Sequence, residues 1–256
     1  MSQSDETTVD AFLGGRLQIK QPRLGYRAGL DPVLLAAAVP ARTGEAICEL
    51  GCGVGTALWC LARRVGDLRL VGIERHAQLL SLAQENAALN QIPATLLHED
   101  ITEPSDAFKQ MSFDHVIANP PFFDRARGSA AYSSTRESGR GQDTALLNWV
   151  KLAYKRLKPK GYAHFLINAA QFPEMSNAFF EQDFAFEAYP IAAYAHRPAR
   201  TLLIRARKGG KSAFSLHFPI ILHPSAPQTA GKVDKYQPAI EAVLRDGAAL
   251  TLPQRG

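Results

Sequence analysis

Two short segments carry residue types whose spacing suits chemistry. The first, Glu49-Leu50-Gly51-Cys52-Gly53-Val54-Gly55, sets three alternate glycines behind an acid. Glycine lets a ligand approach the backbone closely, and amides at a strand-to-helix turn point outward to receive one. A dinucleotide turn needs G-x-G-x-x-G, but Thr56 stands where its third glycine belongs. Glu49 would repel a pyrophosphate and suits a ligand with a cationic amino-acid end. Glu74, which closes the next apolar run, is placed to accept two hydrogen bonds from a ribose. The second segment is Asn119-Pro120-Pro121-Phe122. Its prolines fix the backbone and remove two donors, leaving carbonyls that accept. An asparagine oxygen and a proline carbonyl together receive both hydrogens of a planar amino group, while Phe122 offers a face on which a base stacks. Holding both hydrogens draws the nitrogen lone pair out of conjugation. Rate then comes from positioning and electrostatics, without a covalent intermediate.

These residues need elements to hold them. Asp31 as N-cap and Pro32 at the first helical position predict a helix that ends at Val39, before Pro40. A strand is expected over 46–50, a helix over 56–65, a strand over 68–73 and a helix over 78–90. Leu96-Leu97 marks a third strand, ending at His98-Glu99-Asp100, and 113–118 a fourth, running into Asn119. A polar loop with several arginines follows, then a helix over 144–157 stopped by Pro159-Lys160-Gly161, and a fifth strand over 162–167. Such alternation implies a doubly wound, parallel α/β sheet. Stretches 184–195, 201–207 and 215–222 read as later strands closing the sheet antiparallel, with 205–211 at a turn. No linker divides the chain, so 11–256 is expected to form one domain behind a flexible acidic N-terminus, 1–10.

Charge is unevenly distributed over the 256 residues, whose net charge is +5. Residues 44–124 hold eleven acids against five bases, 125–160 nine bases against two acids, and 193–211 six bases and no acid. Any one basic stretch is adequately explained as a solvated surface. Three of them, counting 11–43, point to a polyanionic partner. Arg125, Arg127, Arg136 and Arg140, just after Phe122, are placed to grip phosphates, with Lys208 and Lys211 as similar candidates. With 46% hydrophobic and 21% charged residues the composition is that of a globular protein, not a disordered or fibrous one. The longest apolar stretch, at 33–39, is far short of the ~20 residues of a membrane span, and the polar N-terminus is not a signal peptide. Three cysteines without a CxxC pair suggest a reducing compartment, so a cytoplasmic location is expected. Seven histidines never fall at i,i+4 spacing, and no metal site is expected. His98 reads as packing rather than as a base. Gly210-Lys211-Ser212 imitates a phosphate loop, but Arg205 stands where its first glycine belongs.

The order Glu49 to Gly55 followed by Gly72-Ile73-Glu74 resembles the class I S-adenosylmethionine-dependent methyltransferases. That resemblance implies a Rossmann-like, seven-stranded, mostly parallel sheet with an antiparallel last strand. It also implies a cofactor site of Glu49, Gly51, Gly53, Gly55, Glu74 and Asp100, with Asn119 at its substrate side. Arg75 reads equally as a neighbour of the adenosine or as a surface residue. Asn119-Pro120-Pro121-Phe122 resembles the motif of methyltransferases acting on adenine N6, guanine N2 or a glutamine amide, with Asn119, Pro120, Pro121 and Phe122 in the catalytic role. Phe122 rather than tyrosine favours nucleic acid. Phe12-Leu13-Gly14-Gly15-Arg16-Leu17, Gln21-Pro22-Arg23-Leu24-Gly25-Tyr26-Arg27-Ala28-Gly29-Leu30-Asp31, Ala199-Arg200-Thr201 and Lys208-Gly209-Gly210-Lys211 are similar to segments of the bacterial family that contains the tRNA(valine) adenine-N6 methyltransferases. In relatives the leading segment covers the cofactor, which implies that Tyr26 and Asp31 line that site. The resemblance implies tRNA as partner, without a metal or a membrane. It leaves open rRNA guanine, a protein glutamine or a non-catalytic RNA-binding role, and the oligomeric state.

Overall fold

A computed structural model describes residues 7–25, 27–121, 145–224 and 235–252. It begins with an antiparallel hairpin, β1 (Thr7–Phe12) and β2 (Leu17–Pro22), in which Thr7 pairs with Pro22. The boundary expected at residue 10 therefore falls inside a strand. Thr7–Phe12 alternates polar and apolar residues weakly, and only pairing with β2 makes it regular. Helix α1 (Leu30–Ala38) follows, capped by Gly29 rather than by Asp31, which lies in its first turn. The start moves because Leu30 already has helical geometry one residue ahead of the aspartate.

The main sheet then unfolds in alternation: β3 (Ala46–Leu50), α2 (Thr56–Arg64), β4 (Arg69–Glu74), α3 (Ala77–Leu89), β5 (Thr95–His98), α4 (Asp106–Lys109) and β6 (Phe113–Ala118). After the segment 122–144, which lies outside the described residues, come α5 (Leu146–Arg156), β7 (Leu157–Asn168), α6 (Phe172–Glu181), β8 (Phe184–Ala192) and β9 (Thr201–Lys208). The seven long strands stand in the order β8-β9-β7-β6-β3-β4-β5. The five from β7 to β5 are mutually parallel, and β9 runs antiparallel to both its neighbours. Of the three late stretches expected to be antiparallel, only β9 is. Strand β8 points the same way as β7, and 215–222 breaks into β10 (Ser215–Leu216) and β11 (Ile220–Ile221), each pairing parallel with β8. A last helix, α7, spans Pro238–Asp246.

Every residue of β3 is buried, as a central strand covered on both faces requires. One face of the sheet packs on α1, α2, α3 and α7 through residues such as Ile47, Leu58, Ala83 and Val243. The other packs on α5 and α6 through Leu50, Val150, Phe165 and Phe179. Pro159-Lys160-Gly161 does not stop the preceding helix, which ends at Arg156. It forms a bulge inside β7, where pairing jumps from Phe113–Leu157 to His115–Tyr162 and Lys160 takes φ +64°. Among the described residues no helix is long and apolar enough to cross a membrane.

Two buried asparagines fasten the hairpin to this body. Asn86 of α3 accepts from the Lys20 amide at 2.7 Å and donates to the carbonyls of Lys20 (3.0 Å) and Val54 (3.1 Å). One turn later Asn90 accepts from the Gln18 amide at 2.9 Å and donates to the Gln18 carbonyl at 2.8 Å. Spacing of four residues puts both amides on one helix face, against alternate residues of β2. At the far end, the Arg16 guanidinium donates to the Asp246 carbonyl at 2.5 Å, and the Leu250 amide to the Ala37 carbonyl at 2.8 Å.

Candidate functional site

Four parallel strands deliver their last residues to one edge of the sheet. Glu49 is the next-to-last residue of β3, Glu74 ends β4, Asp100 follows two residues after β5 and Asn119 directly after β6. The register sets Leu50 beside both Ile73 and Ala118, so Gly51 and Asn119 leave the sheet as neighbours. Open α/β sheets bind ligands at this carboxyl edge.

Between β3 and α2 the chain turns through Gly51, Gly53 and Gly55, with φ of +61°, +56° and +84°. A side chain is disfavoured at all three, but the surroundings differ. A Cβ on Gly51 would lie 2.6 Å from the Trp149 ring, and one on Gly55 2.3 Å from the Trp59 ring nitrogen. Those two glycines admit the tryptophans. A Cβ on Gly53 would meet nothing within 4 Å. Only there does the turn present bare backbone to open space. The Gly53 amide donates to Glu74 Oε2 at 3.0 Å, and the other oxygen of Glu74 accepts from the His76 amide at 2.9 Å. Glu74 is buried and oriented by both bonds, and each oxygen keeps a lone pair for a further donor.

Glu49 is 4% exposed and accepts from the Leu58 amide at 3.3 Å. Burial pushes its carboxyl well above the ordinary carboxylate range, with nearby Glu74 adding to the rise against the amide bond. A cation brought alongside would favour the charged form. Asp100 behaves oppositely: it accepts from the Thr102 hydroxyl (2.6 Å) and amide (2.8 Å), and the hydroxyl bond chiefly holds its carboxyl below the usual value. Arg75 is exposed beside it, its side chain bonded to His76 at 3.2 Å, and its charge favours ionised Asp100. His98 is exposed too, bonding the Arg75 carbonyl at 2.8 Å.

After β6 the chain rises from the core: Asn119 is half-buried, Pro120 buried and Pro121 exposed. The Gln171 amide approaches the Pro121 carbonyl at 3.5 Å, while its oxygen accepts from the Asn168 amide in a capping box at the end of β7. Among the described residues no three metal-ligating side chains gather.

Residues 29–182 match the family model of the methyltransferase small domain. The chain belongs to that family. Two curated relatives carry the name tRNA1(Val) (adenine(37)-N6)-methyltransferase. The protein of Actinobacillus succinogenes is 32% identical over 168 residues, covering 63% of this chain and 69% of its own. That of Dickeya chrysanthemi is 27% identical over 243 residues, covering 89% and 90%. Among solved structures, a predicted O-methyltransferase of Agrobacterium tumefaciens superposes with TM-score 0.68 at 21% identity, over 86% of this chain and 98% of that one. A methyltransferase of Pyrococcus furiosus gives 0.56 at 14% identity, over 75% and 89%. At these identities the likeness is one of fold, the Rossmann-like fold of class I methyltransferases.

This methyltransferase gathers Glu49, Gly51, Gly53, Gly55, Glu74, Arg75, Asp100, Asn119, Pro120 and Pro121 at one edge. Asp31 stands in the first turn of α1, half-buried, with its carboxyl raised by burial. Tyr26, Phe122, Arg125, Arg127, Arg136 and Arg140 lie outside the described residues. Lys208 and Lys211 are set apart from the rest. Lys208 ends the antiparallel strand β9 and pairs with Phe184 at the start of β8, at the edge opposite Asn119. Its ammonium donates to the carbonyls of Tyr154 and Leu157, both at 2.7 Å, over the Tyr154 ring. Arg205 to Lys208 are strand, and the turn comes only at Gly209-Gly210. Sequence reasoning missed Thr102 and Gln171. A threonine two residues after an aspartate is an Asx-turn signal, and Asn168-x-x-Gln171 is a capping-box spacing.

Proposed function

We propose that this methyltransferase transfers a methyl group from S-adenosylmethionine to the N6 amino group of an adenine in tRNA. The observation that carries it is the emergence of Asn119-Pro120-Pro121 beside the glycine turn at the carboxyl edge, in a chain whose relatives are named for that reaction. The residues fit the cofactor. Gly53 leaves open backbone where a ligand can lie, Glu74 offers fixed acceptors to a ribose, Asp100 faces the adenine end, and buried Glu49 suits the ammonium of an amino acid. When bound, S-adenosylmethionine supplies an electrophilic methyl on a sulfonium. Asn119 and the Pro120 carbonyl receive the two hydrogens of the target amino group, aim its lone pair and keep the base in register. The prolines supply no competing N–H donor. No covalent intermediate on the protein is needed. Asp31 adds a wall of the cofactor site from α1.

Incubation with labelled S-adenosylmethionine and bulk tRNA, rRNA or release factor, followed by nucleoside and amino-acid analysis, tests the reading. Label in N6-methyladenosine from tRNA is the expected result. Label in N2-methylguanosine or in protein alone would sink it.

A further inference from the structure

The antiparallel course of β9 determines which basic residues share an edge with Asn119. Thr201 pairs with Asn168 and with Ile191, so the strand begins at the carboxyl edge and runs about 24 Å away from it, at ~3.4 Å per residue. The basic residues before Thr201 therefore stand near the site. The Arg200 carbonyl accepts from the Ala169 amide at 2.8 Å, and Ala169 opens the short turn whose Gln171 reaches Pro121. Arg197 and Arg200 are both exposed.

Beside them lies a row of rings. Tyr194 stacks with His196 (centroids 5.9 Å apart, planes at 24°) and meets His223 at a tilt (5.2 Å, 33°), and His223 stacks with Tyr236 (4.8 Å, 23°). The row joins the β8–β9 loop to the chain after β11, through the His223 amide on the Ala193 carbonyl at 2.9 Å. Tyr194, His223 and Tyr236 are half-buried and His196 is exposed. No carboxylate occurs in 193–200, 222–224 or 235–237. Tyrosine and arginine are enriched in protein interfaces too, so what favours a polyanion is the run of basic residues without a carboxylate in these segments. Successive polar-edged rings with arginine alongside and no acid suit single-stranded nucleic acid, whose bases stack and whose phosphates pair with guanidinium.

We propose that Tyr194, His196, His223 and Tyr236, with Arg197 and Arg200, form a stacking platform for unpaired RNA nucleotides flanking the target base. The proposal deepens the function above and rests on its RNA substrate. Rings take bases next to the one delivered to Asn119, and the arginines hold the intervening phosphates.

Fluorescence anisotropy of a labelled tRNA stem-loop, over a salt series, reads the platform directly. Tyr194→Ala is expected to weaken binding about fivefold or more with an unchanged salt slope, and Tyr194→Phe to restore it. Arg200→Ala should weaken binding and lower the slope of log K against log salt by about 0.7. Arg69→Ala, which removes a charge at the opposite edge, should leave affinity unchanged. Calorimetry of S-adenosylmethionine binding should be unaltered in all four and serves as the control for folding. If the wild type methylates tRNA and the Tyr194 and Arg200 variants bind it as tightly as wild type, the platform is wrong and the function stands. If the wild type neither binds nor methylates any RNA, or labels only protein, both fall.

Discussion

Gly53 and Gly55 share a left-handed backbone and ask different things of a side chain. Alanine at either position pays the left-handed strain, about 1–2 kcal/mol. At Gly55 the methyl also strikes the Trp59 ring, which is fixed by its bond to the Val54 carbonyl at 2.9 Å. Overpacking adds about 1–3 kcal/mol. Gly55→Ala should therefore melt well below Gly53→Ala in thermal unfolding, while Gly53→Ala should lose more cofactor affinity per degree of stability lost. Equal melting temperatures would contradict the assignment of Gly55 to packing. Asn119 raises a different question, because the role proposed for it is with the substrate. Asn119→Ala is expected to reduce methyl transfer at least about a hundredfold, as loss of a positioned hydrogen-bonding group does, with cofactor binding by calorimetry near wild type. Comparable loss of both would place Asn119 in the cofactor site alone.

Among the elements, the hairpin is held to the body by side chains rather than by a sheet. Asn86 is fully buried and serves Lys20 and Val54 together, tying β2 to the glycine turn. Asn86→Leu keeps the volume but leaves the Lys20 and Val54 groups without those partners, a loss of about 2–4 kcal/mol. The variant should show a lower denaturation midpoint and weaker cofactor binding, and protease cleavage within 7–25 should increase. Unchanged cleavage would show that the hairpin is held by packing. This arrangement explains what could be read from the residues and what could not. Strands β3 and β6 were legible at both ends because Ala46–Leu50 and Phe113–Ala118 are short apolar runs bounded by turn residues. Of the candidate acids, Glu74 was legible because it ends such a run, and Glu49 and Asp100 because each lies within two residues of a strand's end. Hairpin β1–β2 was not, since β1 is regular only through its pairing with β2, and β2 is held by Asn86 and Asn90, more than sixty residues away. Helices α6 and α7 were missed although each carries a proline in its first turn and buries apolar residues at helical spacing, Met175, Ala178 and Phe179 in one and Ile240 and Val243 in the other. The direction of β8 depends on the crossover through α6. Segment 215–222 looks like one strand, yet Phe218 is 91% exposed between two short pairings with β8.

In the molecule as a whole, acid should act through a buried pair under the sheet. His115 meets Glu45 at 3.3 Å on one side and His164 at 3.1 Å on the other. Burial lowers both imidazoles, well below the ordinary value of 6.5 for His164, where the charges of His115 and Arg205 push the same way. Unfolded histidines take up protons below about pH 6.5 while the folded pair resists. Stability present above that pH is therefore lost as the pH falls through it. Thermal melts between pH 5 and 7.5 should decline on the acid side, and His164→Gln should flatten that decline. An equally steep fall in the variant would assign it to other groups. The contact between Arg16 and Asp246 bears on a different process. It joins residues 230 positions apart. On a ribosome adding about 5–20 residues per second, the hairpin waits on the order of 10–50 s for α7 after it has emerged. Its other anchor, α3, is available much sooner. The hairpin is thus held on one side, by α3, throughout most of synthesis and fastened on the other only when α7 arrives.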